Sequence, residues 1–150
     1  MNMIYKIFLT ILIIYALIIT WFVYPIFFED VYEPSIVDSS LSDEQWEFLQ
    51  DVSELILYAK MKGYKLTSGE LKRTMYQQRR YIAKGLSWTL NSRHLKSLAI
   101  DLNLFINNHY QRKCKAYEDI GKYWESLNTN NVWGGSWKSV KDCVHFERRY

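Results

Sequence analysis

Histidine is scarce in this chain of 150 residues, which holds only His94, His109 and His145. Two of the three stand near aspartate: Asp101 follows His94, and Asp142 precedes His145. A hydrolytic zinc site needs three protein ligands and one position left open, and nitrogen and carboxylate donors suit it. His94 and Asp101 would supply two ligands from one loop-to-strand unit, with His145 arriving from a later strand. Asp142 could then accept a proton from the attacking water. The same spacing also describes ordinary hydrogen-bonded His–Asp pairs, which satisfy buried polar groups without a metal. No HExxH helix is present to decide the matter. On spacing alone both readings stand.

The elements that would position these residues can be read from pattern. Ser42-Asp43-Glu44-Gln45 has the form of a capping box, and Leu49, Val52, Leu55, Ile56 and Ala59 follow at helical spacing up to Gly63. Tyr64–Thr67 is short enough for a strand. Thr74 to Lys84 reads as a second helix, opened by a further capping box (Thr74, Gln77) and ended by Gly85. In SLAIDLNLF, Leu98, Ile100, Leu102 and Leu104 alternate with Ala99, Asp101 and Asn103, which predicts a strand with its leucines in the core and Asp101 on the opposite face. A third helix is expected over Lys115–Leu127, a Gly-rich loop up to Trp137, and a last strand over Ser139–Phe146. The fold class expected is α+β, a small mixed domain with a short antiparallel sheet and flanking helices.

Ahead of it lies an apolar run. From Ile7 to Phe28 no residue is charged. About 22 residues of helix would measure roughly 33 Å, against a hydrocarbon core of ~30 Å. Bulky Trp21, Phe22, Tyr24, Phe27 and Phe28 stand where a cleavable signal would need small residues. The expectation is one transmembrane helix over 4–28, a linker over 29–41, and a catalytic domain over 42–150. Lys6 before the run favours the remainder lying outside the cytoplasmic membrane, facing the periplasm or cell wall. The basic residues cluster at Lys72, Arg73, Arg79, Arg80, Lys84, Arg93 and Lys96. A tethered external domain makes nucleic acid a poor partner for them and an anionic wall polymer a better one. Cys114 and Cys143 could pair there, but two cysteines do not establish a disulfide, and buried packing is the expectation for Cys143.

Ser92-x-His94-x-x-Ser97-x-Ala99-x-Asp101 and Asp142-x-x-His145-Phe146-Glu147 resemble the two zinc-binding motifs of the M15 peptidases. The resemblance is closest to the L-alanyl-D-glutamate endolysin branch. It runs from about Leu66 to Arg149, through Arg73-Thr74 with Gln77–Gln78, Gly85-x-Ser87 and Trp133-Gly134-Gly135-x-Trp137. It implies Zn²⁺ on His94, Asp101 and His145, Asp142 as general base, and Arg73 holding substrate or the developing oxyanion. Ser92, Gln77 and Trp137 are its implied substrate contacts. Two departures stand out: serine replaces the frequent glycine at Ser97, and serine replaces an acidic residue at Ser136.

The resemblance implies a monomeric peptidoglycan peptidase cutting the stem peptide between L-alanine and D-glutamate, in wall degradation or phage-type lysis. Two alternatives remain. One is a D-alanyl-D-alanine carboxypeptidase, and the other is a catalytically inactive, membrane-anchored wall-binding protein.

Overall fold

The computed structural model describes residues 2–28 and 39–149, with only the backbone described for residues 4, 21–28 and 39. It divides into two units, Met1–Val37 and Asp38–Tyr150. The first holds α1 (Met3–Phe28), whose described side chains from Ile7 to Ile19 are exposed and almost wholly apolar. Among the described residues no helix is long and apolar enough to cross a membrane. The span expected over 4–28 is therefore not found there. Most of the expected linker, residues 29–38, lies outside the described residues.

The second unit opens with α2 (Ser39–Met61), three residues earlier than the capping box predicted. Ser42 is inside the helix, and Gln45 is used elsewhere: its amide donates to the Lys96 carbonyl at 2.7 Å. The buried stripe of α2 is Phe48, Val52, Leu55 and Ala59, while Leu49 and Ile56 are about half exposed. The predicted periodicity was right and its phase was partly wrong. Phe48 is the residue that turns the helix inward.

Then come β1 (Lys65–Ser68), α3 (Met75–Ala83), a 3-10 turn at Arg93–Lys96, β2 (Ala99–Ile106), β3 (His109–Tyr110), α4 (Cys114–Leu127), β4 (Asn131–Trp133), a second 3-10 turn at Gly134–Ser136, and β5 (His145–Arg148). The Thr74 cap forms as predicted: the Gln77 amide donates to Thr74 Oγ1 at 3.2 Å, and Gln77 Oε1 accepts from Thr74 N at 2.8 Å. Gly85 adopts a positive φ just past the end of α3.

The sheet is antiparallel, ordered β1-β2-β5-β4, with β3 pairing the far end of β2. Alternation from Leu98, just before β2, along the strand places Leu98, Ile100, Leu102 and Leu104 in the core, as expected from period two. Against them pack the α2 stripe and Tyr117, Ile120 and Trp124 of α4. Trp124 meets Phe48 and Phe146 edge-on, with centroids 5.7 and 6.1 Å apart. The opposite face of β2 and β5 carries Asp101, His145 and Glu147.

Strand β5 begins six residues later than predicted. Residues 139–144 form the loop that leads into it, and Asp142 lies on that loop. The two cysteines are joined, Cys114 at the start of α4 to Cys143 beside Asp142. Packing alone was the wrong expectation for Cys143, because it sits on a turn facing α4 rather than on a strand.

One buried group had no signal in the sequence reading. Arg148 is fully enclosed under α2, donating to Glu44 at 2.7 Å, to Asp51 at 3.2 Å and to Glu47. It holds the end of β5 to one face of the helix.

Candidate metal centre and cleft

The register of β2 with β5 sets Asp101 directly opposite His145. His94 reaches the same point from the 3-10 turn, which is closed by Ser97 in a left-handed conformation (φ 54°). That turn brings the imidazole back over the sheet, where it is buried. His94 Nε2 lies 3.2 Å from His145 Nδ1 and 3.3 Å from Asp101 Oδ1, and His145 Nδ1 lies 3.2 Å from the same oxygen.

This near-equilateral triangle is informative. Donors on a tetrahedral zinc at ~2.0–2.1 Å stand about 3.3–3.4 Å from one another. The three atoms match one face of such a tetrahedron, leaving a fourth direction for water or substrate. Two imidazoles and a carboxylate are also a suitable donor set for zinc. Both rings are presented correctly, since each has its other nitrogen occupied. His94 Nδ1 lies 3.1 Å from the Leu71 carbonyl, and His145 Nε2 lies 3.2 Å from Glu147 Oε2. The residues fit the metal.

Without a metal, charge accumulates on these groups. Burial opposes a charged His145, yet hydrogen bonds to Asp101 and Glu147 outweigh it and raise its pKa to about 9. Burial likewise opposes ionised Asp101, but the two histidines hold its carboxyl far below the usual range. Asp142 moves the other way. Desolvation raises it, and the Asp101 charge adds to the rise against the pull of His145.

The triad forms part of the wall of a cleft of about 670 Å³. Arg73, Ser92, Trp137 and Asp142 line the same cleft. Trp137 lies against His145 with ring centroids 5.1 Å apart. Arg73 is held by Glu70 (Nε to Oε1, 3.0 Å) and by Gln78 (2.7 Å), and its guanidinium lies over the Tyr81 ring. Gln77 is not in the cleft lining, because its side chain is committed to the Thr74 cap. The neighbouring Gln78 is the buried one, reaching Arg73, Ser87 and the Thr89 carbonyl. The capping box read from the sequence already committed Gln77, so the substrate contact implied for it by the resemblance was at odds with that cap.

Gly134 explains why the Trp133–Trp137 segment needs glycine. A Cβ there would collide with the Asp142 carbonyl oxygen and crowd His145 Cβ at 3.1 Å. Asp142 N also donates to the Gly134 carbonyl at 3.1 Å, so the two loops are keyed together. Ser136 is exposed, and its hydroxyl bonds Glu125 of α4 at 3.2 Å. Its side chain is directed to that helix and is no part of the cleft lining.

Comparison with known proteins agrees with this geometry. Residues 86–148 match the family model described as D-alanyl-D-alanine carboxypeptidase. Among solved structures, the crystal structure of the Serratia marcescens L-Ala D-Glu endopeptidase ChiX superposes with a TM-score of 0.58 at 25% identity, over 68% of this chain and 77% of that one. No curated protein matches the chain. The matched segment, residues 86–148, contains the candidate ligands His94, Asp101 and His145, and the fold is similar to that of ChiX.

Proposed function

We propose that the chain is a zinc-dependent peptidoglycan peptidase that cuts the stem peptide at the L-alanyl-D-glutamate bond. The observation that carries this reading is the ligand triangle, set in a cleft beside a carboxylate whose affinity for protons is raised. His94, Asp101 and His145 would hold Zn²⁺, which when bound polarises a carbonyl and makes water a better nucleophile at neutral pH.

The chain's own residues do the rest. Asp142, raised by burial, accepts the proton from the attacking water and passes it to the leaving amine. Three of Arg73's five N–H donors are engaged by Glu70 and Gln78, which fixes the guanidinium and leaves two for a substrate carbonyl or carboxylate. Ser92 and Trp137 bound the space around the scissile bond. The likeness to ChiX supports this choice of bond.

The test is digestion of purified peptidoglycan by the full chain in mild detergent with zinc. New D-glutamyl amines are expected, and a chain that releases none leaves the proposal without support. A second reading, D-alanyl-D-alanine carboxypeptidase, is favoured by the description of the family model that matches residues 86–148. Release of free D-alanine from the same substrate would select it.

Location belongs to the same proposal. The exposed apolar side chains of α1 support attachment to the cytoplasmic membrane, with the peptidase domain on the wall side. Recovery of the chain in the supernatant after cell breakage, with no added detergent, would count against it.

A further inference from the structure

Glu147 has no assignment in the mechanism above, yet it is one of the most constrained carboxylates in the domain. It lies on β5 between two paired strands, its backbone opposite Ala99 on one side and Val132 on the other. Its side chain is only 12% exposed. Both oxygens are used: Oε2 lies 3.2 Å from His145 Nε2, and Oε1 accepts from Arg149 Nε at 3.3 Å. Strand alternation puts His145, Glu147 and Arg149 on one face, the cleft face.

Geometry argues against two other roles. Glu147 bonds the nitrogen on the far side of the imidazole from the triad, so the ring stands between it and the ligand triangle. It therefore does not contribute to the triangle as a ligand. Each of its oxygens also already has a partner, His145 for one and Arg149 for the other, which makes it a poorer proton acceptor than Asp142.

We propose that Glu147 is the positioning residue for His145, with Arg149 holding the carboxylate in place. By accepting a hydrogen bond from Nε2–H it keeps the proton on that nitrogen and turns the Nδ1 lone pair toward Asp101 and His94. The Leu71 carbonyl does the equivalent for His94, through the opposite nitrogen. The site thus presents one imidazole by Nε2 and the other by Nδ1, and in each case a fixed acceptor decides which. Partners of this kind set the tautomer, orientation and basicity of ligating histidines. The role rests on the metal site proposed above.

The test uses the full chain in detergent, and its readouts are independent of peptidase activity. Zinc affinity is measured by chelator competition for the parent, Glu147→Gln and Glu147→Leu, and nitrogen NMR of the zinc-loaded protein reports which His145 nitrogen carries the proton. Glutamine keeps an acceptor oxygen and leucine does not. The leucine variant is expected to lose ~10–100-fold in zinc affinity, and to lose the single Nε2–H signature of His145 while His94 keeps its own. The glutamine variant should retain that signature and lose less affinity. Thermal melting of each metal-free variant shows whether the fold is kept. Parent-like affinity in Glu147→Leu overturns the role alone, as does equal loss of affinity and signature in both variants. A parent chain that takes up no zinc overturns the role and the metal site together.

Discussion

Asp142 and His145 are three positions apart, and the cleft asks opposite things of them. As the proposed base, Asp142 must be free to take a proton. Asp142→Asn should therefore lower kcat by ~10²–10⁴-fold while zinc content stays at the parent level. Loss of zinc from that variant would make Asp142 a ligand instead. His145 gives a pH signature in the metal-free protein. Its folded pKa of about 9 lies above the ordinary 6.5, so the stability it contributes is fully present below about 6.5 and is lost as pH rises through 9. Asp101 is depressed, so its contribution is present above its ordinary value of 3.8 and is lost as pH falls through the folded value. The chelator-treated chain should melt highest between about pH 4 and 6.5, with a falling alkaline limb that His145→Ala removes. A flat Tm from pH 6.5 to 9 would refute this. Ser97 carries a third expectation. Its left-handed backbone is a strain of ~1–2 kcal/mol for any residue but glycine, partly offset by the ~0.5–1 kcal/mol of extra freedom glycine loses on folding. Ser97→Gly should thus raise the unfolding midpoint by an amount worth about 0.5–1 kcal/mol. The glycine frequent at this position of the resembled motif is what a positive φ favours.

Among the elements, the strand that carries Asp101 was legible because alternation of leucine with polar residues is a local signal. The helix over 75–83 was legible for the same reason, since its cap lies within one turn. What could not be read was anything set by a distant partner. Nothing near Arg148 in the chain announces Glu44, Glu47 and Asp51, and nothing near Ser136 announces Glu125. The last strand was drawn too early because residues 139–144 are held by contacts with Gly134 and α4, which have no period to detect. The triad itself was only half legible. Spacing offered the candidate ligands as one of two readings, the resemblance to the M15 motifs favoured it, and the sheet register that sets Asp101 opposite His145 completed the geometry. The Gly134–Asp142 contact gives a test at this scale. Gly134→Ala should displace the Asp142 loop and lower kcat by ~10²-fold or more, as misplacement of about 1 Å commonly does. A variant with parent kinetics would mean that the two loops yield independently.

Across the whole molecule, the domain closes around two long-range ties, one ionic and one covalent. Arg148 is enclosed, so Arg148→Met would strand three carboxylates around an uncharged side chain; losses of ~3–5 kcal/mol are usual when a buried pair is broken. Denaturant unfolding of the full chain would measure it, and a loss under 1 kcal/mol would show that α2 is held by its apolar stripe alone. The covalent tie joins the start of α4 to the loop that carries the proposed base, closing a separation of 29 residues. Such a bond persists where thiols are oxidised and is not sustained in a glutathione-buffered cytoplasm. A chain still inside the cell would thus have its ligands preformed on the sheet but its Asp142 loop untethered. On the proposed location, leaving the cytoplasm would be the event that completes the cleft, and the proposed wall-cutting activity would stay latent until then. Mild phosphine reduction of the purified chain should therefore lower wall digestion while bound zinc is retained, and reoxidation should restore it.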